Sequence, residues 1–112
     1  MPILVVADIY GIAGRRQELI DALSAFAREA GAQDGCLRYS VAATLDDPDQ
    51  YVTVSHWRDT AAVDAHYASQ SFASFQMALD GLLARPSDAV IFDATEVLRP
   101  LPSAPMDPRD AD

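Results

Sequence analysis

Hydrophobic positions change their period several times along the chain, and each change predicts an element. Residues 2–10 are apolar at Ile3, Leu4, Val5, Val6 and Ala7, with Ile9 and Tyr10 extending the run. A continuous apolar run of that length predicts a strand covered on both faces. Gly11 and Gly14 in "GIAG" then break the pattern. Leu19, Ala22, Leu23, Phe26, Ala27 and Ala30 follow at i, i+3, i+4, i+7, i+8 and i+11, one stripe of a helix. Arg15, Arg16, Asp21, Arg28 and Glu29 lie off that stripe, and Gly31 is the expected stop.

The period then drops to two. Over 36–45, Leu37, Tyr39, Val41 and Ala43 alternate with Arg38, Ser40 and Ala42, which predicts a strand. "DDPDQ" is a turn, and 51–58 is a third strand, hairpin-paired with the second. Tyr51, Thr53, Ser55 and Trp57 share one of its faces, and Val52, Val54 and His56 share the other. Asp59 or Thr60 is placed to cap a helix carrying Val63, His66 and Tyr67 on one side. "SQS" offers a second cap, for a helix over 71–84 with Phe72, Phe75, Leu79, Leu82 and Leu83 on a stripe. Arg85-Pro86 ends it, and "AVIFDATEVL" (89–98) reads as a fourth strand.

The predicted order is β-α-β-β-α-β with the second helix split. It is the α+β, ferredoxin-like arrangement of one antiparallel sheet with helices on one face. The domain spans 1–100. Residues 101–112 are a Pro/Asp-rich tail with little to bury, expected to be a flexible arm or one that docks on a partner. Helices on one face leave the other sheet face bare. Either row of the third strand would expose large apolar groups there, more than a monomer usually leaves in water. Two sheets packed face to face, a homodimer, are therefore expected.

Composition removes several functions. At 112 residues the chain makes one domain with one real core. Its net charge is −9, which disfavours nucleic acid and anionic membrane surfaces. All eight basic residues are arginine, so Schiff-base and P-loop lysine chemistry are excluded. No apolar run approaches a membrane span. "MPILVVADIY" lacks a basic start and carries Asp8 early, so it is not expected to be a signal peptide. Cys36 has no internal disulfide partner, which fits a reducing cytoplasm, and it reads as a small apolar residue at a strand start.

Candidate chemistry concentrates in 54–75, which holds the single tryptophan, both histidines, Tyr67, Phe72 and Phe75. His66 has an imidazole that ordinarily titrates near neutrality and lies on the inward side of its helix, so it reads either as a candidate base or as a core-edge histidine hydrogen-bonded to a backbone group. His56 projects from the opposite strand face to Trp57. Tyr39 is placed to hydrogen-bond a substrate oxygen, and Phe72 and Phe75 to form cavity wall or plain core. Trp57 is core, dimer interface or substrate contact. His56 and His66 are ten residues apart with no third ligand nearby, a poor zinc pattern, so no metal is expected. There is no GxGxxG before a helix.

"HWRDTAAVDAHYASQSFASF", in this topological place, resembles the antibiotic biosynthesis monooxygenase family of dimeric α+β barrel proteins. Trp57, His66, Ser69 and Phe72 match its pattern. The opening strand, "AGRRQELIDAL", "GCLRYSV" and "FDATEVLRPL" look like it too, so the resemblance covers about residues 2–100. Two positions depart: the family acid before the tryptophan is Ser55, and the family histidine before the phenylalanine is Ser71. The haem-degrading branch uses an asparagine in the first strand, where this chain has Ile9, a tryptophan where it has His66 and a histidine where it has Gln76, which points away from haem chemistry. The resemblance implies oxygenation of a small aromatic phenol or quinol by O₂ without a cofactor. His66 would be catalytic, and Trp57, Tyr67, Phe72, Phe75 and Tyr39 would contact substrate. A non-catalytic dimeric binding module and a non-oxidative enzyme on the same scaffold stay open as alternatives.

Overall fold

The computed structural model describes residues 1–95 and 97. Its elements are β1 (Ile3–Tyr10), α1 (Arg16–Gly31), β2 (Cys36–Ala43), β3 (Gln50–Trp57), α2 (Thr60–Tyr67), α3 (Gln70–Ala78) and β4 (Asp88–Asp93). The four strands form one sheet in the order β2-β3-β1-β4, antiparallel throughout. This is the expected α+β ferredoxin-like topology, with the second helix split as its pattern predicted.

The sheet register assigns the faces. Ile3, Val5 and Ile9 of β1 lie beside Trp57, Ser55 and Tyr51 of β3, and all six are buried beneath the helices. The Tyr51–Trp57 row is therefore the inner one. On the other face Leu4, Val6, Val52 and Val54 stay half-buried, and Val90 and Phe92 of β4 are exposed. Within this chain β1 is thus covered on one face only, although its unbroken apolar run predicted two.

Helix α1 buries Leu19, Leu23, Phe26 and Ala30, the predicted stripe. The ring of Phe26 stacks on Phe75 of α3 at 3.9 Å between centroids. Gly31 is the last helical residue rather than a left-handed stop, and Ala32 closes the helix in right-handed geometry. At Gly35 the backbone does require glycine: φ is +82°, and a Cβ there would stand 2.5 Å from Ala62 Cβ.

Three elements differ from their sequence patterns. In β2 the ladder pairs Cys36 with Trp57 and then Arg38 with His56, so Leu37 is the extra residue of a bulge and is exposed. Helix α3 ends at Ala78, six residues short of expectation. Gly81 adopts φ +76°, which no right-handed helix contains, and a turn carries Leu82 into the core. Hydrogen bonds from Ile12 N to Leu82 O and from Ala84 N to Tyr10 O hold that segment against the end of β1. Strand β4 stops at Asp93 because its partner β1 begins at Ile3; the last backbone bond runs from Ala94 N to Pro2 O. The whole predicted tail, 101–112, lies outside the described residues, as do residues 96 and 98–100.

Candidate functional site

Two capped helices set the site. The Asp59 carboxylate accepts from Ala62 N and starts α2 directly after β3. The Ser69 hydroxyl accepts from Phe72 N and starts α3. The two-residue break between α2 and α3, Ala68 and Ser69, turns His66, near the end of α2, and Phe72, in the first turn of α3, toward the same space above the sheet.

That space is a cavity of about 680 Å³, within the range of small-molecule sites. Its buried end is lined by Val5, Ile9, Thr53 and Ser55 of the sheet, with Phe26, Tyr39, His66, Phe72 and Phe75 around them. Tyr67 is 38% exposed and lines it as well. The exposed rim carries Gln76, Asp80 and Arg85. The charged groups stand at the rim and the aromatic groups inside, so a flat apolar ligand would bury its body and keep any charge outward.

His66 is 6% exposed and sits in an aromatic cage. Its ring centroid lies 4.5 Å from Trp57, 5.2 Å from Tyr67, 5.5 Å from Phe26, 5.6 Å from Phe72 and 6.2 Å from Tyr39. Burial holds its pKa below the ordinary 6.5, because the cage cannot solvate an imidazolium. Its Nδ1 is 2.6 Å from Gln33 Oε1. The Nε2 has no hydrogen-bond partner among the described residues. No side-chain nitrogen or oxygen there is both sealed from solvent and unpartnered. The Nε2 therefore reaches open space, and the cavity is the space His66 lines.

The two tyrosines are protonated donors at neutral pH. Burial pushes the Tyr39 phenol up to about 12, with Thr53 acting in the opposite direction. Burial also raises Tyr67. Cys36 is half-buried, and its thiol is raised by desolvation, so it is not poised as a nucleophile.

Among the residues expected to contact substrate, the structure brings Tyr39, Tyr67, Phe72 and Phe75 to the cavity beside His66. Trp57 is placed differently. It is fully buried behind His66, does not line the cavity, and donates from Nε1 to Ser55 Oγ at 2.9 Å. Its indole shares the inner face with Ser55, and α2 closes over it. Ser55, at the position of the family acid, serves as the acceptor for that indole. His56 lies on the opposite face, as the alternation predicts. Phe26, Gln33 and Arg85 were not singled out by sequence. Phe26 carried the signal of an ordinary helix stripe, and Gln33 and Arg85 sit in loops with no periodicity to read. No group of three His, Cys, Asp or Glu side chains stands close enough to hold a metal ion among the described residues.

The model of the family described as antibiotic biosynthesis monooxygenase matches residues 2–78. An uncharacterized protein of Synechocystis, sll1783, is 26% identical over 95 residues, and the match covers 85% of this chain and 65% of that protein. This chain thus spans less than two thirds of that relative's length. Among solved structures, Rv0793 of Mycobacterium tuberculosis superposes with a TM-score of 0.81 at 23% identity, covering 88% of this chain and all of that one. PA3566 of Pseudomonas aeruginosa gives a TM-score of 0.77 at 24% identity, covering 85% and 95%. These likenesses show a shared fold.

Proposed function

This chain belongs to the antibiotic biosynthesis monooxygenase family, and from that premise we propose that it oxidises a small aromatic phenol or quinol with O₂, using no cofactor, with His66 as the base. The observation that carries the reading is the unpartnered Nε2 of a buried imidazole facing an aromatic-walled cavity.

The chemistry needs only what the substrate and these residues supply. His66 Nε2 takes the phenolic proton, and Tyr39 or Tyr67 donates a hydrogen bond to the oxyanion. The electron-rich anion passes one electron to O₂, and the aromatic radical and superoxide combine into a ring-carbon peroxide. His66 passes its proton to the terminal peroxide oxygen and then takes the hydrogen of that carbon as a proton, so that the O–O bond breaks with loss of hydroxide. One oxygen stays as a quinone carbonyl, and the other leaves as water with the proton from His66. The apolar wall keeps bulk water from the radical pair.

We also place a second copy of the chain on the bare sheet face. Leu4, Val6, Val52, Val54, Val90 and Phe92 form a contiguous apolar surface across three strands. Packing against its own two-fold copy buries it.

The test is oxygen uptake without added metal or flavin, against quinols and anthrone-like phenols, for wild type and His66→Ala. Uptake by wild type that is lost in the variant supports the reading. A folded protein that binds such phenols and takes up no oxygen is instead a binding module or a non-oxidative enzyme.

A further inference from the structure

We propose that Gln33 is the positioning residue of this site: its amide holds His66 in the tautomer that carries the proton on Nδ1 and leaves Nε2 as the base. The inference rests on the reading of His66 as the base for its catalytic meaning, but not for the tautomer itself.

The hydrogen-bond count decides the assignment. Ser69 Oγ stands 2.7 Å from His66 O, a carbonyl that can only accept, so the hydroxyl donates its one proton there. The same oxygen accepts from Phe72 N at 3.1 Å. Gln33, 3.1 Å away, must then donate to Ser69 from Nε2. That leaves Oε1 facing the imidazole at 2.6 Å, and a carbonyl oxygen accepts only from a protonated Nδ1. Flipping the amide would confront Nδ1 with an NH₂ group. It would also leave the amide oxygen facing a hydroxyl already committed to the backbone.

Gln33 is itself held in place. It follows the last turn of α1, where its N–H donates to Ala30 O, and its carbonyl accepts from Cys36 N in the turn that opens β2. The chain thus brings a residue 33 positions away to the one imidazole edge that the cavity does not use.

The choice of an amide has a consequence that a carboxylate would not. The side chains packed on the ring are Phe26 of α1, Tyr39 of β2, Trp57 of β3, Tyr67 of α2 itself and Phe72 of α3. None is charged at neutral pH. Gln33 therefore orients the ring without stabilising its protonated form. An imidazolium made during turnover has no counter-charge beside it and returns its proton readily to the departing oxygen.

The test is the imidazole nitrogen spectrum of the ¹⁵N-labelled full chain, recorded above the His66 pKa, with His56→Ala to assign the two histidines. A protonated Nδ1 and a bare Nε2 on His66 are expected. Gln33→Leu should shift the population toward the Nε2-protonated form and lower kcat about 10- to 100-fold with little change in KM. Gln33→Glu should keep the Nδ1 proton and raise the His66 pKa by about one unit or more, moving the acid limb of the rate profile with it. A wild-type His66 protonated on Nε2 overturns the proposal. So does a Gln33→Leu protein with an unchanged tautomer, or a Gln33→Glu protein with an unchanged pKa. Should the tautomer behave as expected while His66→Ala retains full turnover, the catalytic reading of His66 fails and the placement by Gln33 stands.

Discussion

At the scale of single residues, the site is an imidazole made useful by its neighbours. Desolvation lowers the His66 pKa, so the free base persists to lower pH than in an exposed histidine. The acid limb of kcat/KM should therefore fall below pH 6.5. The same shift acts on stability. The folded chain disfavours the proton, so this contribution is fully present above 6.5 and is lost as pH falls through the lower folded value. Replacing His66 by alanine should leave a folded protein whose oxygen uptake is down about 100-fold or more, the usual scale for a general base. Ser55 makes a separate prediction. Ser55→Ala strips the acceptor that a fully buried indole N–H has among the described residues, which should cost about 1–3 kcal/mol in urea unfolding. No loss of stability would mean that the indole finds another acceptor.

At the scale of elements, the break between α2 and α3 matters more than either helix. A continuous helix from 60 to 78 would carry Phe72 and Phe75 along its own axis instead of over Phe26. Ser69 keeps the break by capping α3 and bridging to Gln33. Ser69→Ala should cost about 1 kcal/mol as a lost cap. Because it also frees the Gln33 amide, it should lower turnover by more than that loss of stability explains. Thermal melts and oxygen uptake on the same preparation separate the two effects. The turn at Gly81 has a comparable role at the far end of α3, since it carries Leu82 inward and leaves Asp80 and Arg85 at the cavity rim.

At the scale of the whole molecule, the unresolved business of the fold is its bare sheet face. Val54 of β3, Val6 of β1 and Val90 of β4 lie side by side in one row across it. Val54→Glu would bury an unpaired carboxylate between two sheets, so association should weaken at least about 100-fold. Light scattering at micromolar concentration should report a dimer for wild type and a monomer for the variant. A monomeric wild type at that concentration sinks the dimer. The cavity opens on the helix side of the sheet, so the monomeric variant should retain a folded site.

Much of this was legible in one dimension. The α1 stripe, the alternation of β3 and the caps at Asp59 and Ser69 are local patterns, since a residue three or four positions on decides whether they are satisfied. Together they specified the topology, and the 54–75 cluster pointed at His66. Other features depended on contacts between residues distant in sequence. Which row of β3 faces the helices follows from where α1 and α2 pack, and the alternation alone served both choices equally. The bulge at Leu37, the early end of α3 and the stop of β4 depend on partner strands and on one backbone angle. Trp57 moved from expected substrate contact to the wall behind His66 because α2 closes over it. Gln33 carried no signal, because a loop glutamine gains meaning only when the fold sets it against a histidine. Sequence by itself determined the order and type of the elements, through short-range periodicity and residue character, and its likeness to a family suggested the chemistry. Tertiary structure decided the inner face, the cavity and the partner of His66, because those are set by contacts between positions the chain keeps far apart.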